Sequence, residues 1–160
     1  MSKGRLPAKT ISFVSQKGGV GKSALARAAG RARRQSTGGA AMRVMVIVKA
    51  TTDSESGNPP SRELIAAMGA FNQKLIAAGV MVDGGGLKPT AEGARVAFDG
   101  AKRTVKLGPF GIVGELASGY WIWKVEDLDE AIGWLKQCPN PMPVPSEIEI
   151  RPLYEMEDFA

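Results

Sequence analysis

Two sets of residues in this chain have the types and spacing for chemistry. The first is Lys17-Gly18-Gly19-Val20-Gly21-Lys22-Ser23, set between a strand-like stretch at 9–16 (KTISFVSQ) and a helix-like run from Lys22. Glycines let backbone N–H groups turn toward phosphate oxygens, and a following helix N-terminus adds partial positive charge. In such a loop Lys22 would reach the terminal phosphates and Ser23 would ligate Mg²⁺. Lys17, Gly18, Gly19, Gly21, Lys22 and Ser23 would together form a Mg-ATP site. The second set is spread through the rest of the chain. Asp83, Lys88, Arg95, Glu115, Glu149 and Arg151 are candidate acids, bases or anion holders, and Trp121 and Trp123 are candidate aromatic walls of a small-molecule pocket.

What is absent narrows these readings. There is no histidine and a single cysteine, Cys138. Imidazole proton transfer is excluded, no metal site is expected, and no internal disulfide can form. A lone thiol suits a reducing, cytoplasmic setting. For each polar candidate a surface ion pair is the commoner role, and for the tryptophans packing in a core or a dimer is commoner than lining a pocket.

The elements that must position these residues fall into two unlike parts. Residues 1–41 hold nine Lys/Arg and no Asp or Glu, whereas the remainder holds 12 basic and 16 acidic residues, so the net charge of +5 is the sum of +9 and −4. A basic arm can contact nucleic acid through phosphates, although a solvated tail is the simpler reading. After the loop, Leu25 is the only large apolar residue before the linker-like 35–41 (QSTGGAA), so residues 1–41 are not expected to form an independent domain. Met42 then opens the second part and would serve as a start site, leaving the loop as a fragment. An acid-free, Arg/Ser-rich leader also fits a transit peptide, which the intact loop motif argues against.

From Met42 the pattern is orderly. Val44, Val46 and Val48 alternate with Met45 and Ile47, which predicts an interior strand with two apolar faces. Residues 53–60 read as turns. Ser61 caps a helix to about residue 78, with Leu64, Met68, Phe71 and Leu75 on one stripe and Gly79 as the stop. A short strand follows at 80–82, then strands at 95–98 and 102–105 flanking Asp99-Gly100, a hairpin signal. Residues 119–125 (GYWIWKV) form a strand, Asp127 and Glu130 cap a helix whose Leu128, Ala131, Ile132 and Leu135 face the core, Pro139 ends it, and 147–151 is the final strand. The expected fold is α+β: a ferredoxin-like βαββαβ plan with an inserted hairpin, two helices covering one face of an antiparallel sheet. Either Tyr120 with Ile122 or Trp121 with Trp123 must lie on the uncovered face, and a second subunit is the simplest cover. No apolar run approaches the roughly 18 residues of a membrane span.

Two resemblances add to this. KGGVGKS, with its early lysine, resembles the deviant Walker A motif of ParA/MinD-type ATPases over about residues 9–29, which implies a Mg-ATP-binding protein as one alternative. From 42 to 159, the opening MRVMVIVKA, GVMVDGGGLKP at 79–89, Gly108-Pro109-Phe110, Gly119-Tyr120-Trp121, Asp129-Glu130-Ala131, Cys138-Pro139 and the closing EIEIRP resemble the YCII-related family, in particular its DGPF-containing branch. That resemblance implies a dimeric α/β barrel with a cleft between sheet and partner; in it, Arg95 or Arg151 holding a small anionic or aromatic metabolite against Trp121 and Trp123 is this chain's expected binding mode. Leu107 stands where the branch has its aspartate, and residues 111–114 (GIVG) replace an acidic-basic run in which only Glu115 is retained. Relatives with proposed lyase-type activity use a His/Asp pair, which a chain without histidine does not have, so a binding protein or degenerate enzyme is the expectation.

Overall fold

The computed structural model describes residues 41–160. The phosphate loop, its flanking strand and helix, and the basic arm lie outside the described residues. The element order is β1 (Met42–Lys49), α1 (Thr52–Glu55), α2 (Arg62–Ala77), β2 (Met81–Gly86), β3 (Ala94–Asp99), β4 (Lys102–Leu107), β5 (Ala117–Val125), α3 (Leu128–Leu135) and β6 (Ile148–Pro152), with 3₁₀ turns at Thr90–Glu92, Val113–Glu115 and Met156–Phe159.

The Val44/Val46/Val48 alternation makes β1 an interior strand, as expected. It pairs antiparallel with β5 and β6, and β2 adds antiparallel to β5, giving an open four-stranded sheet in the order β2-β5-β1-β6. Residues directly opposite in register share a face. Val44 opposite Trp123 and Val46 opposite Trp121 therefore point together, into the core. That core is closed by Met68, Phe71 and Leu75 of α2, the stripe read from helical spacing, and by Ala131 of α3. Phe71 meets both tryptophans edge-on, at 6.4 and 6.3 Å between ring centroids, an arrangement that aromatic quadrupoles favour. Gly84 passes beneath Trp121, where a Cβ would come within 2.7 Å of the indole.

Four local expectations are corrected. Residues 53–60 are not all turn, because Thr51 and Ser54 form a reciprocal capping box that starts α1, with serine where an acid is the usual signal. The strand after α2 runs on to Gly86 instead of ending at 82. In α3, Leu128 and Ile132 face solvent and only Ala131 is fully buried. Trp134, whose Nε1 donates to Glu130 Oε1 at 3.2 Å, packs on the core instead and turns the buried stripe toward Ala131, Trp134 and Leu135. The helix also stops at its Lys136 cap, ahead of Pro139.

β3 and β4 form a separate two-stranded sheet with Gly100 in its turn at φ +53°. The hairpin was expected; that all twelve of its strand residues are exposed was not.

Candidate functional site

An open, shallow cleft lies where β1 ends. Ala50 is buried, and its N–H donates to Leu116 O at 2.8 Å, while Lys49 N donates to Glu147 O at 3.1 Å, so the chain is pinned from both sides at this point. It then turns into α1 and exposes a dense run of hydrogen-bonding side chains. Asn58 Nδ2 donates to Asp53 Oδ1 at 3.1 Å, which orients the carboxylate, and Ser56 Oγ donates to the Asp53 backbone O at 2.6 Å. Facing this run across an open cleft of about 640 Å³ are Val113 and Gly114, just before β5, and Val144 and Pro145, just before β6. The volume is in the range of small-ligand sites. Thr51, Thr52, Asp53, Ser56 and Asn58 line it, with no lysine or arginine among the lining residues. Such a site donates and accepts hydrogen bonds to neutral polar groups and attracts cations, and it offers an anion no counter-charge.

Beside the cleft, the hairpin is clamped to the body of the domain. Glu55 Oε2 accepts from Thr90 N at 3.1 Å and from Thr90 Oγ1 at 2.5 Å, and Thr90 Oγ1 in turn accepts from Phe110 N at 3.2 Å. Gly108 N donates to Gly93 O at 3.0 Å. Gly108-Pro109-Phe110 is thus a structural joint, and Leu107, at the position of the absent aspartate, is 73% exposed.

The residues singled out from sequence are divided among separate places. Asp83 and Arg151 lie on the sheet face away from the helices, at the two ends of the row Asp83–Ile122–Met45–Arg151. Asp83 Oδ1 accepts from Gly84 N at 2.8 Å. Glu149, on the same face, receives Lys49 Nζ at 2.6 Å and has Arg151 Nε at 3.8 Å. The hydrogen bond and charge of Lys49 hold the Glu149 carboxyl below the usual carboxylate range. Lys88 pairs with Glu92 at 2.7 Å in solvent, Arg95 sits over the Phe110 ring at 4.4 Å, and Glu115 is exposed, next in sequence to the cleft-lining Gly114. Trp121 and Trp123 are in the core on the opposite face from Arg151, so the structure does not bring an arginine against the tryptophan pair. Trp121 Nε1 donates to Asn72 Oδ1 at 3.0 Å, whereas the buried Trp123 Nε1 has no acceptor among the described residues. The cleft residues escaped sequence reading, although a T-T-D-S-E-S-G-N run directly after a buried strand was the available signal.

Cys138, just after α3, is half-buried. Burial pushes its thiol up to about 12, and its Sγ–H donates to Pro139 O at 3.2 Å. At pH 8 it should alkylate roughly a thousandfold more slowly than in urea-unfolded protein, since only the thiolate reacts. Equal rates of iodoacetamide labelling in the two states would contradict this. Among the described residues, no group of His, Cys, Asp or Glu is placed to hold a metal ion, and no helix is long and apolar enough to cross a membrane.

A family model described as the YCII-related domain matches residues 42–157. No curated protein matches the chain.

Proposed function

The chain belongs to the YCII-related family, and from that premise we propose that it is a small-metabolite-binding protein acting as a homodimer. The observation that carries the binding reading is the cleft at the end of β1, concave, of ligand size and lined by five hydrogen-bonding residues. Among the described residues, Asp53 is the one lining carboxylate and no lysine or arginine lines the cleft, which favours a neutral polyol or a small amine. This redirects the ligand class from the anionic or aromatic metabolite that the sequence pointed to. With no histidine in the chain, the His/Asp proton transfer of relatives has no counterpart, and binding without turnover is the reading that fits.

The dimer reading rests on the uncovered sheet face. Met45, Ile47, Tyr120 and Ile122 lie there, half-buried, with the helices on the other side. The order β2-β5-β1-β6 supports a ferredoxin-like arrangement, and two such sheets meeting through these residues would form the α/β barrel.

A thermal-shift screen of the full chain tests the ligand class. Polyols, small amines, carboxylates, aromatic acids and Mg-ATP should be compared. A ligand at ten times its Kd adds about 1.4 kcal/mol, a rise of several degrees. A shift by an amine that Asp53→Asn removes is the expected result. Stabilisation by anions alone, unaffected by Asp53→Asn, would sink the reading. The Mg-ATP arm addresses the N-terminal loop: an affinity unchanged by Lys22→Ala eliminates a nucleotide site there.

A further inference from the structure

The hairpin and the C-terminal segment both present exposed large apolar side chains. On one face of the hairpin Ala94, Val96 and Phe98 stand opposite Leu107, Val105 and Arg103. Phe98 is 73% exposed, with the Arg103 guanidinium over its ring at 4.3 Å. A two-stranded ribbon by itself is marginal in water, so an exposed apolar face on one calls for a cover. At the other end of the chain, Glu155 is clamped by a bidentate pair with Arg43 (2.8 Å for each bond), and Asp158 Oδ2 accepts from Glu155 N at 2.7 Å. On this fixed turn Tyr154 and Phe159 lie ring to ring at 5.1 Å, while Met156 is 82% exposed. The charges are opposite. The hairpin strands and turn (94–107) carry four basic residues and Asp99, net +3, whereas residues 153–160 carry no basic residue and, beyond Glu155 that is paired with Arg43, two acidic ones, Glu157 and Asp158.

Within one chain the two features lie far apart. The hairpin leaves from the end of β2, one edge strand, and the segment leaves from the end of β6, the other edge strand. β2 runs parallel to β1 and β6 antiparallel to it, so these exits are at diagonally opposite corners of the sheet. When two copies meet by their open faces, a two-fold axis along the remaining diagonal sets each hairpin corner over the partner's C-terminal corner. That axis crosses the strands of the two sheets at a steep angle, approaching the orthogonal class of sheet packing. We infer that the β3–β4 hairpin is a docking arm whose occupant is the C-terminal segment, residues 153–160, of a second copy of this chain. The contact is reciprocal, and it rests on the face-to-face dimer proposed above.

Amide hydrogen exchange of the full chain, read on Val96, Phe98, Val105 and Leu107 alongside light scattering, tests the docking arm. A dimer in which these amides are protected, with protection lost on dilution to monomer, is the expected result. Deleting residues 156–160 should then lower hairpin protection at least tenfold while α2 stays protected. A chain that is monomeric at all concentrations overturns the dimer and the arm together. A dimer with an unprotected hairpin, or with protection indifferent to the deletion, overturns the arm and leaves the dimer standing. Concentration-independent protection would place the chain's own segment there. Protection that arises only with vesicles of anionic phospholipid would assign the basic, apolar ribbon to a membrane surface. Either of the last two outcomes overturns docking onto a second copy.

Discussion

Gly108→Ala is expected to unseat the hairpin and to cost about 3 kcal/mol or more, placing it among the severe substitutions. A Cβ built on Gly108 lies 1.7 Å from Thr90 O and 2.6 Å from Thr90 C. Both are backbone atoms, so no side-chain rotamer relieves the overlap. To make room, Thr90 must retreat, which strains its bonds to Glu55 and to Phe110 N. Glu55→Ala attacks the same joint from the other side. It deprives the Thr90 N–H and hydroxyl of their acceptor and should cost roughly 1–3 kcal/mol. Leu107→Ala, one position before the glycine, removes a side chain exposed in the single chain and should cost no more than about 0.5 kcal/mol in monomeric protein. Urea denaturation of the three variants gives the ordering, and hydrogen exchange shows whether the loss is local to β3 and β4. A Gly108→Ala protein as stable as its parent would mean that the joint is not packed as described.

The second large effect concerns the tryptophan pair. Trp123→Ala should cost about 3–5 kcal/mol, because a fully buried indole is replaced by a cavity next to Phe71 and Val44. The conservative changes are more discriminating. Trp123→Phe discards an indole N–H that has no acceptor among the described residues, so relief of that burial offsets part of the lost packing and the cost should stay below about 1.5 kcal/mol. Trp121→Phe removes a donor on which Asn72 Oδ1 depends, and should cost more than Trp123→Phe. Equilibrium unfolding followed by the remaining tryptophan fluorescence measures all three. If Trp123→Phe is the costlier of the two, its N–H is satisfied by a buried water, and the pair are polar anchors as well as core.

Both predictions concern residues whose type was visible in the sequence and whose role was not. The DGPF-like turn drew notice for its absent aspartate, yet its function here is steric, through Gly108 against Thr90. The two residues are 18 positions apart, and no local pattern links them. Alternation along β5 separated Trp121 and Trp123 from Tyr120 and Ile122, but alternation carries no sign. Which pair turns inward was decided by α2, whose Phe71 and Leu75 complete the core on one side only. For α3 the cap at Asp127 was legible, whereas the buried stripe shifted because Trp134 reaches farther than Leu128 or Ile132. The cleft was the least legible feature. Its walls come from residues 50–58, 113–114 and 144–145, and only the pairing of β1 with both β5 and β6 gathers them at one end of the sheet.

By itself the sequence determined the content and much of the chemistry. Period-two valines made β1 an interior strand, a 3.6-residue stripe behind Ser61 made α2, Asp99-Gly100 made the hairpin, and the absence of histidine removed imidazole catalysis. These follow from backbone periodicity, capping and side-chain identity, which act over a few residues and need no distant partner. The tertiary structure alone decided the order β2-β5-β1-β6, the inward turn of the tryptophans, the joint at Gly108 and the cleft beyond Lys49. Each of these depends on which segments pack together across the chain, a choice made by burying the largest shared apolar surface while every strand keeps its register.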